Sequence, residues 1–139
     1  MKTDKVRFGL TDLALVIISA IYLVGIRTLF SPCGIKEDGT WMTCHWAGQA
    51  VTGIAALLLV ISLVRLLFPD AGVRMGLSAA MIPTAVLGAL MPGVLIGLCM
   101  MDNMRCHSVM RPFTVIMSVL EILAAVLDMI CLKRKRAKR

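Results

Sequence analysis

Two short motifs place a cysteine directly before a histidine, and each stands where a polar loop meets a long apolar run. They read M-T-C-H at positions 42–45 and M-R-C-H at positions 104–107. Thiolates, thioethers and imidazoles suit copper(I), zinc or haem iron. A thiol at the start of a helix is also activated, because the positive end of the helix dipole favours the thiolate. The candidate ligands are Met42, Cys44, His45, Met104, Cys106 and His107.

The chain that carries these motifs is too apolar for an ordinary soluble domain. It has 139 residues, of which 59% are hydrophobic, whereas about half is usual in soluble proteins. We expect an all-α integral membrane protein made of one domain, residues 1–139, with four helices of the length that crosses a bilayer. The expected spans are about 10–30, 45–68, 75–101 and 112–132. In the third span, Pro92 predicts a kink and Gly93-x-x-x-Gly97 a close helix approach.

Basic residues predict the orientation of these spans. Most of them flank the first span, the turn between the second and third spans (Arg65 and Arg74), or the tail 133–139. The positive-inside rule then places both termini in the cytoplasm of a multi-pass cell-membrane protein. We expect the tail to bind anionic lipid head groups rather than nucleic acid, because no stacking aromatic residues accompany it.

This orientation places four of the five cysteines at the outer side. Four thiols in an oxidising compartment are expected to form disulfides, and three pairings are possible. The simplest pairing closes each outer loop on itself, Cys33 with Cys44 and Cys99 with Cys106. Cys131 lies at the opposite side, where we interpret it as a small apolar residue.

Each half of the chain repeats the same order of span, cysteine, loop, M-x-C-H and span. This order suggests a 2+2 internal pseudo-repeat about an axis along the membrane normal. Under that symmetry, His45 and His107 would face a shared outer vestibule.

Two polar residues fall within the predicted spans, Glu121 and Gln49. A charged carboxylate in a bilayer costs about 2.5 kcal/mol or more, so Glu121 must be neutral, paired or turned towards protein. One interpretation gives Glu121 a function, either as a proton or cation relay or as a contact to a partner helix. The other is structural, a neutral carboxyl hydrogen-bonded to a nearby polar side chain. The candidate bonding partners are Gln49, Thr52, Ser78 and Thr84. Asp128 is expected to reach the cytoplasmic interface.

The chain resembles a small bacterial four-span membrane family known as domain of unknown function 4418. The resemblance is carried by S-P-C at 31–33, M-T-C-H-W-A-G-Q-A at 42–50 and G-L-C-M-M-D-N-M-R-C-H at 97–107. It supports the four-span layout. It also implies a companion role beside the permease components of ATP-driven exporters.

Three functions therefore stay open. The first is a non-enzymatic accessory subunit of a larger permease complex, with disulfide-stapled outer loops and no cofactor; a homo-oligomer is the other assembly expected. The second is an outer metal or haem site built from the two motifs. The third is a quinone-linked thiol-disulfide oxidoreductase, although no C-x-x-C occurs. No soluble catalytic motif is present, so an enzyme is not favoured.

Overall fold

The structure, a computed structural model, describes residues 9–98, residue 100 and residues 105–138. Over these residues the chain is all-helical, with four helices that are long and apolar enough to cross a membrane. The helices are α1 (Leu10–Arg27), α2 (Thr43–Leu67), α3 (Ala71–Leu90) and α4 (Arg111–Ala137), and one π-helical turn, Cys106–Met110, leads into α4. The chain is a multi-pass membrane protein.

The four helices form a bundle in which α1 and α3 each pack against both α2 and α4. Buried apolar side chains line the axis, among them Leu15, Tyr22, Leu58 and Met81. Other large apolar side chains point outward, such as Leu123 and Leu127 on α4, which are 54% and 58% exposed. In water such exposure would cost free energy, so this surface fits contact with lipid.

The bundle has two chemically different ends. One end holds the start of α1, the turn between α2 and α3, and the last turns of α4, and we call it the ion-pair end because buried acidic and basic side chains meet there. The other holds residues 28–42, 91–98 and 105, and we call it the cysteine end. The orientation of the two ends across the membrane stays a prediction from the basic residues, as does the pseudo-repeat.

Helix α3 ends at Leu90, about eleven residues before the sequence-based estimate of residue 101. Pro92 has no backbone N–H to continue the helix, and Gly93 adopts a positive φ of 94°. The chain reverses there, with the Ile96 N–H donating to the Met91 carbonyl at 3.0 Å. Pro92 therefore helps to end the helix instead of kinking it.

The close approach expected at Gly93 and Gly97 occurs instead at Gly88. Nothing lies within 4 Å of a Cβ built on Gly97. A Cβ on Gly88 would lie 3.2 Å from both the Ile54 side chain and the Tyr22 hydroxyl. The small residue of α3 that lets other helices approach is thus one turn earlier than the pattern predicted.

Candidate thiol site and buried ion pairs

Three cysteines meet at the cysteine end of the bundle. Cys33 comes from the connection between α1 and α2, Cys44 from the first turn of α2, and Cys106 from the start of the π-helical turn. Their sulfur atoms all lie within 4.8 Å of one another. The Sγ atoms of Cys33 and Cys106 are 3.0 Å apart. Cys44 and Cys106 are fully buried, whereas Cys33 is half-buried.

The loop that carries Cys33 is pressed onto α2. A Cβ on Gly48 would lie only 2.5 Å from the Pro32 ring, so this position of α2 has room for glycine alone. Farther along, the chain turns back at Gly39, whose φ is 77°, and Ile35 pairs with Trp41 through a single antiparallel bridge. These contacts hold the thiol of Cys33 over the start of α2.

The electrostatics of Cys33 follow from its neighbours. Partial burial raises the pKa of its thiol, but hydrogen bonds from the Cys106 and Cys44 thiols stabilise the thiolate and outweigh burial. The net effect is a pKa below the ordinary value of a cysteine. Cys33 is therefore the thiol best prepared to act as a nucleophile.

The cluster differs from the simplest sequence-based pairing. Cys33 was expected beside Cys44 alone, yet it also contacts Cys106 from the other half of the chain. Cys99, the predicted partner of Cys106, lies outside the described residues. The pairing of Cys33 with Cys44 and of Cys99 with Cys106 stays a prediction, and a Cys33–Cys106 pair now stands beside it.

The candidate metal ligands are only partly brought together. Among the described residues, the one group of three or more potential ligands from cysteine, histidine and acidic side chains contains Cys33, Cys44 and Cys106 and neither histidine. His45 stacks on Trp41, with ring centroids 4.0 Å apart. Met42 precedes α2 as its N-cap residue, and Met104 lies outside the described residues. His107 is half-buried in the π-helical turn.

A pocket of about 290 Å³ adjoins the thiol cluster. The end of α1, the loop around Cys33 and the first three turns of α2 form its walls. His45 and Gln49 are among the lining residues, whereas His107 is not. The predicted vestibule shared by both histidines thus corresponds to a pocket on the His45 side.

A family model described as a domain of unknown function, DUF4418, matches residues 15–131. The chain belongs to this family. No curated protein and no solved structure matches it. The matched segment of this DUF4418 protein contains all three clustered cysteines.

The other end of this DUF4418 bundle contains a buried cluster of ion pairs that the sequence pattern does not predict. Arg65 donates from Nη2 to Asp12 Oδ1 at 2.9 Å and to Asp128 Oδ2 at 2.6 Å. Arg74 donates to the same Asp12 oxygen. All four residues are at most 5% exposed. Each helix contributes one charge, and two positive charges balance two negative ones.

Neutral side chains complete the hydrogen bonds of Asp128. The Thr11 hydroxyl donates to Oδ1 at 2.9 Å, and the Ser78 hydroxyl lies 3.0 Å from Oδ2. Asp128 is 1% exposed, so the expectation that it reaches the interface is wrong. The physical reason is that Arg65, which was counted among the loop cations, lies inside the bundle and pairs with it. Four charged residues at matching depths of four helices are the signal that could have revealed the cluster.

Glu121 is fully buried in α4, and its contact differs from all four predicted partners. Its Oε1 lies 2.6 Å from the Ser19 hydroxyl, which also lies 2.9 Å from the Leu15 carbonyl. Oε2 has no hydrogen-bond partner among the described residues. A serine hydroxyl has one proton to donate. When Ser19 donates it to Leu15, a protonated Glu121 can supply the proton of the short contact. Gln49 lies in the pocket at the cysteine end.

Proposed function

We propose that the cysteine end is a thiol–disulfide exchange site on the outer side of the membrane. The observation that carries the proposal is the meeting of three sulfur atoms, from three separate segments, within 4.8 Å. Two thiols are enough for a structural staple, whereas a third beside them permits exchange. The predicted orientation supports the proposal, because it puts this end in an oxidising compartment.

The exchange can be written for Cys33 and Cys106 as the reactive pair. A thiolate of a partner dithiol attacks their disulfide, forms a mixed disulfide with one sulfur and releases the other as a thiolate. The second partner thiol then breaks the mixed disulfide. The partner loses two electrons and two protons and becomes a disulfide, and the cysteine pair gains both. The buried thiol of Cys44 is close enough to exchange with the same pair.

The packing of the bundle brings two thiols together although the chain has no C-x-x-C motif. Cys33 and Cys106 are 73 positions apart in the chain, yet their sulfur atoms are 3.0 Å apart. The bundle thus brings together what a C-x-x-C motif brings together within one helical turn. The lowered pKa of Cys33 supports its role as the more reactive member.

The test is a redox titration of the purified protein in detergent, followed by thiol alkylation and intact mass. We expect a disulfide that dithiothreitol reduces without unfolding the protein and that reforms on reoxidation. The double variant Cys33→Ser with Cys106→Ser should abolish this transition, because it leaves Cys44 alone in the cluster, and Cys131→Ser, at the other end of the bundle, should leave it unchanged. A disulfide that is reduced only after denaturation would identify a staple and refute the proposal.

A soft metal site is the second candidate, because three thiolates within 4.8 Å also match the ligand set of copper(I) or zinc. Titration of the reduced protein with each metal, followed by elemental analysis, tests it. One tightly bound ion that is lost in Cys44→Ser would favour the metal over the exchange reaction.

The accessory role beside a permease stays a separate prediction. A cysteine end rigidified by disulfides would present a fixed docking surface to a larger subunit. Its test is co-purification with a permease from native membranes, compared between reduced and oxidised preparations.

A further inference from the structure

The pocket beside Cys33 lies at one boundary of the bundle, where α1 ends and α2 begins. Trp41 and Trp46 stand at the same level and are 48% and 61% exposed. Exposed tryptophans at helix ends are typical of the membrane–water interface. A molecule in this pocket can therefore come from the bilayer, with a polar head at the interface and an apolar tail among the lipids.

The walls of the pocket select a planar group with acceptor oxygens. The stacked rings of Trp41 and His45 are inclined by only 27° and form an aromatic surface. Arg27 and Gln49 provide hydrogen-bond donors, whereas the Thr52 hydroxyl donates to the Gly48 carbonyl of its own helix at 2.8 Å. Among the described residues, no acidic side chain lines the pocket. A cationic ligand finds no counter-charge among these lining residues, whereas carbonyl oxygens find donors.

Cys33 is part of the same wall, so a bound molecule lies next to the thiol cluster. Resting on the proposed exchange function, we propose that this pocket binds the head group of a membrane quinone, which reoxidises the cysteine pair. The reaction balances: the two thiols of Cys33 and Cys106 form one disulfide and give up two electrons and two protons. The quinone takes up both and becomes a quinol.

The experiment measures quinone binding apart from the redox reaction. The chain has two tryptophans, so Trp46→Phe leaves Trp41 as the only tryptophan, which is then excited selectively. In this background, Cys44→Ser with Cys106→Ser removes both thiols beside Cys33. Ubiquinone-1 is then titrated into the purified protein in detergent, and fluorescence quenching is recorded.

We expect saturable quenching. Gln49→Leu and Arg27→Met should each weaken the affinity about ten-fold, the loss typical of one good hydrogen bond. Thr84→Val is the matched control, because the Thr84 hydroxyl donates to the Ala80 carbonyl of its own helix and Thr84 is not one of the residues that line the pocket. Quenching that rises linearly and equally in all variants would report partitioning into detergent and would overturn the inference.

Failure of this inference can be distinguished from failure of the exchange function. If the native cysteine pair cycles with dithiothreitol but ubiquinone-1 neither binds nor oxidises it, the exchange function stands and the quinone is excluded. If ubiquinone-1 binds but the pair does not cycle, the role of the quinone as electron acceptor is overturned together with the exchange function. Binding together with formation of ubiquinol and the disulfide in equal amounts supports both.

Discussion

Arg65→Met is the most informative perturbation of the ion-pair end. Arg65 bridges Asp12 and Asp128. Removing it leaves Asp128 without a charged partner among the described residues, while Asp12 keeps Arg74. At an effective dielectric constant of about 20, opposite charges 2.6 Å apart attract by roughly 6 kcal/mol, before the cost of taking both charges out of water is subtracted. Measured losses for one partner of a buried pair are about 3–5 kcal/mol. We expect the free energy of unfolding to fall by that amount.

The assay is reversible unfolding in mixed micelles with increasing sodium dodecyl sulfate. The double variant Arg65→Met with Asp128→Asn removes both charges, and we expect it to recover about 2 kcal/mol of the single variant's loss. Arg134→Met, an exposed arginine on α4, is the matched control and should change stability by less than about 0.5 kcal/mol. Additive effects of the two substitutions, or a loss below about 1 kcal/mol for Arg65→Met, would refute the view that the pair is coupled in a dry interior.

Three further outcomes are expected. Gly25→Ala should destabilise the bundle by about 1–3 kcal/mol in the same assay, because its Cβ would lie 2.5 Å from the ring of Phe113. Glu121→Gln should change stability by less than about 1 kcal/mol, since the amide keeps the shape and hydrogen-bonding capacity of a neutral carboxyl. Because its pKa is lowered, the thiol of Cys33 should be alkylated at a lower pH than an ordinary cysteine. Cys106→Ala should shift that alkylation profile upward, because it removes one of the hydrogen bonds that stabilise the Cys33 thiolate.

Each of these predictions has a control. Gly76→Ala is the control for Gly25→Ala, because nothing lies within 4 Å of a Cβ at Gly76. Equal losses of stability in the two variants would contradict the steric reasoning. Glu121→Lys should prevent stable folding, because within the described part of the chain it puts a cation beside the Ser19 hydroxyl and no carboxylate. A large loss for Glu121→Gln would instead indicate an ionised carboxylate. For Cys33, an alkylation profile unchanged by Cys106→Ala would show that its neighbour does not stabilise the thiolate.

The number and type of helices could be predicted from sequence because long apolar runs leave a membrane chain little choice. The end of α3 could not, since the apolar run continues beyond Leu90 and the stop depends on the turn at Pro92 and Gly93. That the loop cysteines gather at one end of the bundle could be predicted, because the order of spans and loops puts them on one side of the membrane. The contact of Cys33 with Cys106 depends on how the halves of the bundle pack, and spacing along the chain does not encode it.

The ion-pair end could not be predicted from charge counts, because the positive-inside rule treats every basic residue near a helix end as a loop residue. Arg65 and Arg74 were counted as flanking cations, yet both side chains enter the bundle. Although these two arginines are buried, the ion-pair end still has more exposed basic residues than the cysteine end, because the basic residues of the tail, such as Lys133 and Arg134, are exposed there. The orientation therefore rests on those residues, and the two buried arginines belong to the packing of the helices.

In the proposed mechanism, the ion-pair end fixes the helices relative to one another and the cysteine end carries out the thiol exchange. Four charges, one from each helix, oppose sliding of any helix, because a shift would separate at least one buried ion pair. The cysteine end is held instead by loop contacts such as Pro32 on Gly48. Thiol exchange changes which sulfur atoms are bonded, so the segments that carry Cys33 and Cys106 must adjust slightly in each cycle. A bundle fixed at the ion-pair end can allow that adjustment at the cysteine end without losing its helix packing. We therefore expect Arg65→Met to broaden the redox transition as well as lower stability, whereas Arg134→Met should leave both unchanged.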